Sequence, residues 1–401
     1  MAELAALNGL RVLDLTDYRA QLCGRLLADM GADMIKVEPP GGDTARRIPP
    51  FLDGTPHPDR SLFFWFYNLN KRSITLNITQ SQGAEILLAL AKSADLIIES
   101  FKPGRMGELG FGWKILHQVN PALILLSIAP FGQTGPYRNF DADDTVLTAL
   151  SGMLYVNGVP GQEPVRPLGL QAYHSAAYYA AIGVICALFA RERDGAGQWL
   201  DLSMQEAAVA AVEHVAGSFF GEGLVEPRRG TLHWSRYFRV GKCRDGYIMH
   251  CTLGDWTSLV EWIAADGKAQ DLTAPEWQDL IYRAQHAEHL FDVLDEWVKD
   301  YDRDQLLERA QMLRLPYATV RSPEALFEDE QLQARGYFVP VDHTELGRTF
   351  RYPGAPYIFG DSPWRVYRRP PLIGEHTAEI FQKDLGLSAD YLTALAAGGT
   401  I

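Results

Sequence analysis

Along the first third of the chain, short runs of β-branched and leucine residues alternate with stretches whose apolar residues recur at helical spacing. Residues 10–15 read as a strand, a helix follows over 22–30, and 32–37 read as a second strand. Residues 73–77, 95–99 and 123–127 continue the strand series, with a helix over 82–92 between two of them. Strands alternating with helices predict a parallel sheet covered on both faces. Residues 176–190 form the longest apolar stretch, closed by Arg191-Glu192-Arg193-Asp194-Gly195, and predict a buried helix too short to span a bilayer. Residues 197–203 add another strand.

The texture changes around 221–229, where glycine and proline gather. Residues 237–240 and 245–250 predict a hairpin-like strand pair, and helices follow near 256–264 and 289–299. After about residue 330 the chain returns to short, proline-punctuated segments such as Tyr352-Pro353-Gly354-Ala355-Pro356. A chain of 401 residues is long for one hydrophobic core. The predicted division is a large domain from 1–224, a small domain over 225–330, and a C-terminal segment, 331–401, that rejoins the large one.

Charge and cysteine usage narrow the function class. The net charge of −13 argues against nucleic acid and anionic membrane surfaces, but not against a ligand that needs only a local basic patch. The four cysteines form no CxxC or Cys/His cluster, so no metal site is expected, and reduced thiols fit a cytoplasmic location. The first residues, Met-Ala-Glu-Leu, lack the basic region of a signal peptide.

Motifs then identify a family. The segment Pro164-Val-Arg-Pro-Leu-Gly-Leu-Gln-Ala-Tyr173-His-Ser-Ala-Ala-Tyr-Tyr-Ala-Ala-Ile-Gly183, with Gly195-Ala-Gly-Gln-Trp-Leu-Asp-Leu-Ser-Met204, closely resembles the central block of the class III CoA-transferases. Further matches run in order along the chain: Leu27 to Glu38 with Gly41-Gly42-Asp43, Asn68-Leu-Asn-Lys-Arg-Ser73, Glu99-Ser-Phe-Lys-Pro-Gly104, Phe131-Gly-Gln-Thr-Gly-Pro136, Asp144 with Ala149-Leu-Ser-Gly152, Arg335-Gly-Tyr-Phe338 and Gly374-Glu-His-Thr377. The resemblance implies an α/β fold: a Rossmann-like large domain with a parallel sheet, an inserted small α+β domain, and two subunits interlocked as rings.

It also implies a nucleophile that this chain lacks. CoA transfer between acids suits a carboxylate, which attacks the thioester, forms a mixed anhydride and is regenerated. In the family's transferases that Asp aligns with Tyr173, and no Asp occurs between Asp144 and Asp194. A carboxylate is ionised at pH 7, whereas a phenol of pKa about 10 is ionised to roughly one part in a thousand. Tyr173 is thus a degenerate nucleophile position. The racemase branch pairs a His before the Asp144 position with the same Asp; Asp143 and Tyr173 stand there instead. His174 could act as a general base, or simply hydrogen-bond near a helix N-terminus.

For CoA itself the resemblance points to Asn70, Lys71 and Arg72 and to Phe101, Lys102 and Arg105. Two departures weaken the match: Ala20-Gln21-Leu22 replaces the usual Ala-Gly-Pro, and Glu108 stands where many members carry a base facing CoA phosphate. The cluster Asp141-Ala142-Asp143-Asp144 reads as turn capping rather than a metal site, and His214, His233, His250 and His376 lack metal spacing.

The expected function is a subunit of a heteromeric CoA-transferase that moves CoA between an acyl-CoA and a carboxylic acid. Its partner is a homologous Asp-containing catalytic subunit, in a heterodimer or heterotetramer. CoA or acyl-CoA is substrate, and no cofactor is bound permanently. The rival readings are a homodimeric acyl-CoA hydratase or lyase using Tyr173 and His174, and a non-catalytic CoA-thioester binding protein.

Overall fold

The computed structural model describes residues 5–401. They form two compact units. One combines the chain up to Met153 with Leu168–Gly217 and Glu330–Ile401; the other combines Leu154–Pro167 with Ser218–Asp329. The longer stretch of the second unit therefore starts at 218, against the expected 225, and an earlier segment, 154–167, joins it. Local bonds explain the recruitment: Gly230 donates its N–H to the Gly158 carbonyl at 2.9 Å, and Arg228 Nη1 donates to the Tyr155 carbonyl at 3.0 Å.

The first unit is built on six strands: β1 (Arg11–Leu15), β2 (Asp33–Glu38), β3 (Arg72–Thr75), β4 (Leu96–Glu99), β5 (Ile124–Ala129) and β6 (Trp199–Ser203). Their order is β3-β2-β1-β4-β5-β6 and every pairing is parallel. Alternate residues of one strand feed two separate cores. Val12, Met34, Leu96, Ile98 and Leu126 pack on one face, and Leu13, Ile35, Ile74, Ile97 and Leu125 on the other. That is why β4 and β5 read as near-continuous apolar runs. The order reverses between β1 and β4, so the connections after them pack on opposite faces and leave a crevice at their C-terminal ends.

The helix Gln171–Asp194 is longer than the expected 176–190. At 24 residues it is long and apolar enough, by length and composition, to cross a membrane, which corrects the estimate made from its central stretch. Its small side chains Ala172, Ala176, Ala177, Ala180, Val184 and Ala187 are buried in the core on one face of the sheet. Ala-rich packing lets the helix lie close to the strands. Gly195, at φ 72°, ends it in the left-handed conformation that closes many helices.

The second unit holds an antiparallel sheet, β7 (Phe238–Lys242), β8 (Tyr247–Cys251) and β9 (Ala318–Thr319), in that order. The helices Trp256–Ala265 and Ala287–Val298 cover it with a core of Trp262, Phe291, Leu294 and Trp297.

Candidate functional site

Three neighbouring cavities open at the C-terminal ends of β1, β2 and β4. The first, about 310 Å³, is lined by Leu15, Asp17, Val37, Asn77, Phe101 and Arg105 among others. The second, about 300 Å³, shares Leu15, Asp17, Phe101 and Arg105 and adds Arg19, Ser100 and Lys102. The third, about 330 Å³, lies against Arg19, Lys102, Arg105, Glu108, Arg138 and Asp141. Arg105 belongs to all three. Their position is the one at which open parallel sheets take ligands.

Phe101, Lys102 and Arg105 therefore come together on one wall, the loop from β4 into the short helix Arg105–Glu108. The motif resemblance groups Asn70 and the basic pair Lys71-Arg72 with them, and the structure places that trio elsewhere. Asn70, at φ 64°, donates its amide to Asp29 at 2.6 Å and accepts the N–H groups of Tyr367 and Arg368 at 2.8 and 2.9 Å, tying down the C-terminal segment. Lys71 is wholly buried, with Nζ 2.8 Å from Asp14 Oδ2. Burial pulls the Asp14 carboxyl upward, yet Lys71 and Lys36 hold it below the usual range. Gly24 makes room for this pair, since a Cβ there would come within 2.8 Å of Asp14. Arg72 pairs with Asp33 at 2.7 Å and Glu379 at 3.1 Å. None of the three lines the cavities above.

The cations at the cavity mouth are only loosely held. Lys102 meets Asp141 at 2.8 Å and Arg105 meets Glu108 at 2.9 Å, both pairs in solvent, where an ion pair contributes about 0–1 kcal/mol. An incoming anion can displace such partners. Arg19 is held by Asp17 at 2.6 Å, and Arg138 forms no ion pair among the described residues. Arg19 and Arg138 were missed in the sequence. Arg19 had a usable signal, its place directly after the first strand; Arg138 had none.

Tyr173 sits in the first turn of the Gln171–Asp194 helix. Asp144 Oδ1 accepts the N–H groups of Ala172 and Tyr173 at 2.9 and 3.2 Å, so this carboxylate anchors the helix start. Within the expected acidic cluster, Asp143 caps its own helix through Val146 N–H at 2.9 Å, and no metal-binding group occurs among the described residues. The Tyr173 ring is 3% exposed and packs edge-on to Tyr18 at 6.2 Å, and its hydroxyl has no hydrogen-bond partner among the described residues. Burial, reinforced by Tyr18, pushes the phenol well above the usual tyrosine range. It is therefore further from ionisation than a free phenol. His174 shares a 2.8 Å hydrogen bond with the Tyr67 hydroxyl, not with Tyr173. Burial lowers the His174 imidazole and pushes Tyr67 up to about 12, so both are neutral at pH 7.

The family model described as CoA-transferase family III matches residues 7–377. The chain belongs to CoA-transferase family III. Among relatives of this family III chain, the succinyl-CoA:(R)-benzylsuccinate CoA-transferase subunit BbsE of Thauera aromatica is 34% identical over 92% of each chain. The succinyl-CoA–L-malate CoA-transferase beta subunit of Chloroflexus aurantiacus is 30% identical over 97% of this chain and 96% of its own. The crystal structure of a CaiB/BaiF family protein from Brucella suis superposes with a TM-score of 0.84 at 27% identity, covering 95% of this chain and all of that one. CoA thioesters are the substrates of such transferases.

Proposed function

We propose that this chain is the non-catalytic subunit of a heteromeric family III CoA-transferase, paired with a homologue that retains the Asp nucleophile. The observation that carries the reading is Tyr173: a buried, neutral, unpartnered phenol stands where the transfer chemistry needs a carboxylate. Two of the relatives above are themselves named as subunits. Their names also suggest succinyl-CoA as donor and a dicarboxylic acid such as benzylsuccinate or malate as acceptor. Phe101, Lys102 and Arg105 are the residues proposed to face CoA.

A second observation supports an assembled state. The outer face of the Gln171–Asp194 helix carries Tyr178, Tyr179, Ile182, Ile185 and Phe189, with Ile182 60% and Phe189 74% exposed. A stripe of this size on a soluble protein calls for a partner. The proposed occupant is the Asp-bearing homologue, in the interlocked-ring arrangement that the family resemblance implies.

The test is succinyl-CoA transfer to a dicarboxylic acid by this chain alone, by the homologue alone and by the two co-expressed. Activity confined to the mixed complex, abolished by replacing the partner's Asp and unchanged by Tyr173→Phe, supports the reading. Transfer by this chain alone that vanishes with Tyr173→Phe contradicts it, and an acyl-CoA hydrated or cleaved by this chain alone without transfer favours a hydratase or lyase using Tyr173 and His174.

A further inference from the structure

Glu99 closes β4 and immediately precedes the cavity wall formed by Ser100, Phe101, Lys102 and Arg105. It is 3% exposed. In the sheet register it lies between Leu15 of β1 and Ser127 of β5, and Ser127 in turn faces Asp201 of β6. Every hydrogen-bonding neighbour is a donor. Phe101 N–H donates to Glu99 Oε2 at 2.7 Å. Ser127 accepts from Trp199 Nε1 at 3.0 Å and directs its own hydroxyl to Glu99. A carboxylate accepts both bonds at once, whereas a carboxyl proton facing Ser127 would require that hydroxyl to turn and accept.

We propose that Glu99 is a positioning residue for CoA: its ionised form holds the Phe101 amide, and with it the Ser100–Arg105 wall, in the binding-competent position. The proposal rests on the reading that this cavity takes a CoA thioester. The charged groups in reach are Arg19, from the loop after β1, which favours the ionised form, and Asp201 on β6, which opposes it. Asp17 binds Arg19 and also accepts from Ser100 Oγ at 3.2 Å, so it belongs to the same wall. Burial pushes the Glu99 carboxyl up to about 7, against the pull of the Ser127 and Phe101 hydrogen bonds. The switch between the two forms thus falls at neutral pH rather than in the usual carboxylate range.

The experiment is CoA binding by calorimetry between pH 6 and 8, on the wild type and on Glu99→Gln, which keeps an acceptor but does not titrate. If only the ionised form binds, the competent fraction rises about tenfold across that window, and the apparent Kd falls by the same factor. The CoA 3′-phosphate titrates near pH 6 in both proteins and cancels in their ratio. The wild-type-specific step is expected to disappear in Glu99→Gln, and to move to higher pH in Ser127→Ala, which loses one donor. Superimposable profiles in wild type and Glu99→Gln overturn the proposal.

Hydrogen exchange of segment 100–105 without ligand separates this failure from failure of the CoA reading. Corrected for intrinsic rate, protection should rise through pH 7 in wild type and stay level in Glu99→Gln. If neither protein binds CoA but this step is present, the positioning role stands and the ligand is wrong. If the step is absent, the positioning role is wrong whatever binds.

Discussion

At the scale of single residues, the decisive contrast is between a buried ion pair that is satisfied and a buried hydroxyl that is not. Asp14 and Lys71 complete each other in the core, whereas the Tyr173 hydroxyl has no partner among the described residues. An unsatisfied buried hydroxyl costs about 1–3 kcal/mol. Tyr173→Phe is therefore expected to leave stability unchanged or raise it by up to about 1 kcal/mol in denaturant unfolding; a clear loss would reveal a bond to that hydroxyl. At the cavity mouth, Glu108→Gln and Asp141→Asn free Arg105 and Lys102 from exposed carboxylates. Each should tighten CoA binding by about two- to fivefold at low salt, with the gain fading at high salt. Ionisation gives a further signature. Glu99 is pushed up to about 7 and Asp29 up to about 6, in both cases chiefly by burial. A raised acid contributes stability that is complete below its unfolded value and is lost as pH rises through the folded one. Thermal stability should accordingly fall between about pH 5 and 7.5, and Glu99→Gln should flatten the upper part of that fall, by on the order of 2 kcal/mol.

At the scale of elements, the sequence made the strands legible because burial on both faces leaves apolar runs with little ambiguity. Residues 95–99 and 123–127 lie within a residue or two of β4 and β5. The long helix was less legible. Its first turn, Gln171 to Ser175, is mostly polar or aromatic and is held by Asp144, a residue distant in sequence, so no local cap marks its start. Asp144→Ala should cost about 1–2 kcal/mol by removing that anchor, measured by urea unfolding, whereas Asp143→Ala should act mainly on the Asp144–Leu150 helix. The basic loop shows the limit of motif reading. A run such as Asn70-Lys71-Arg72 gives no sign of whether its charges face a ligand or the core. That depended on Asp14 and Asp29, brought to it by β1 and the Gln21–Asp29 helix. Lys71→Met leaves Asp14 buried without its partner and should cost about 3–5 kcal/mol, reducing soluble yield.

At the scale of the whole molecule, family membership and the six-stranded parallel sheet agree, and both were readable from motifs in order along the chain. The composition of the second unit was less readable, because segment 154–167 joins residues more than fifty positions later. The absence of a carboxylate at Tyr173 was plain in the sequence; its consequence depends on what binds the exposed stripe from Tyr178 to Phe189. The most direct measurement is native mass spectrometry of this chain produced alone and together with an Asp-bearing homologue, followed by succinyl-CoA transfer on each isolated species. The account predicts a mixed complex that alone carries transfer activity, with Tyr173→Phe indistinguishable from wild type. A homodimer of this chain that turns over an acyl-CoA and loses that activity with Tyr173→Phe would contradict it.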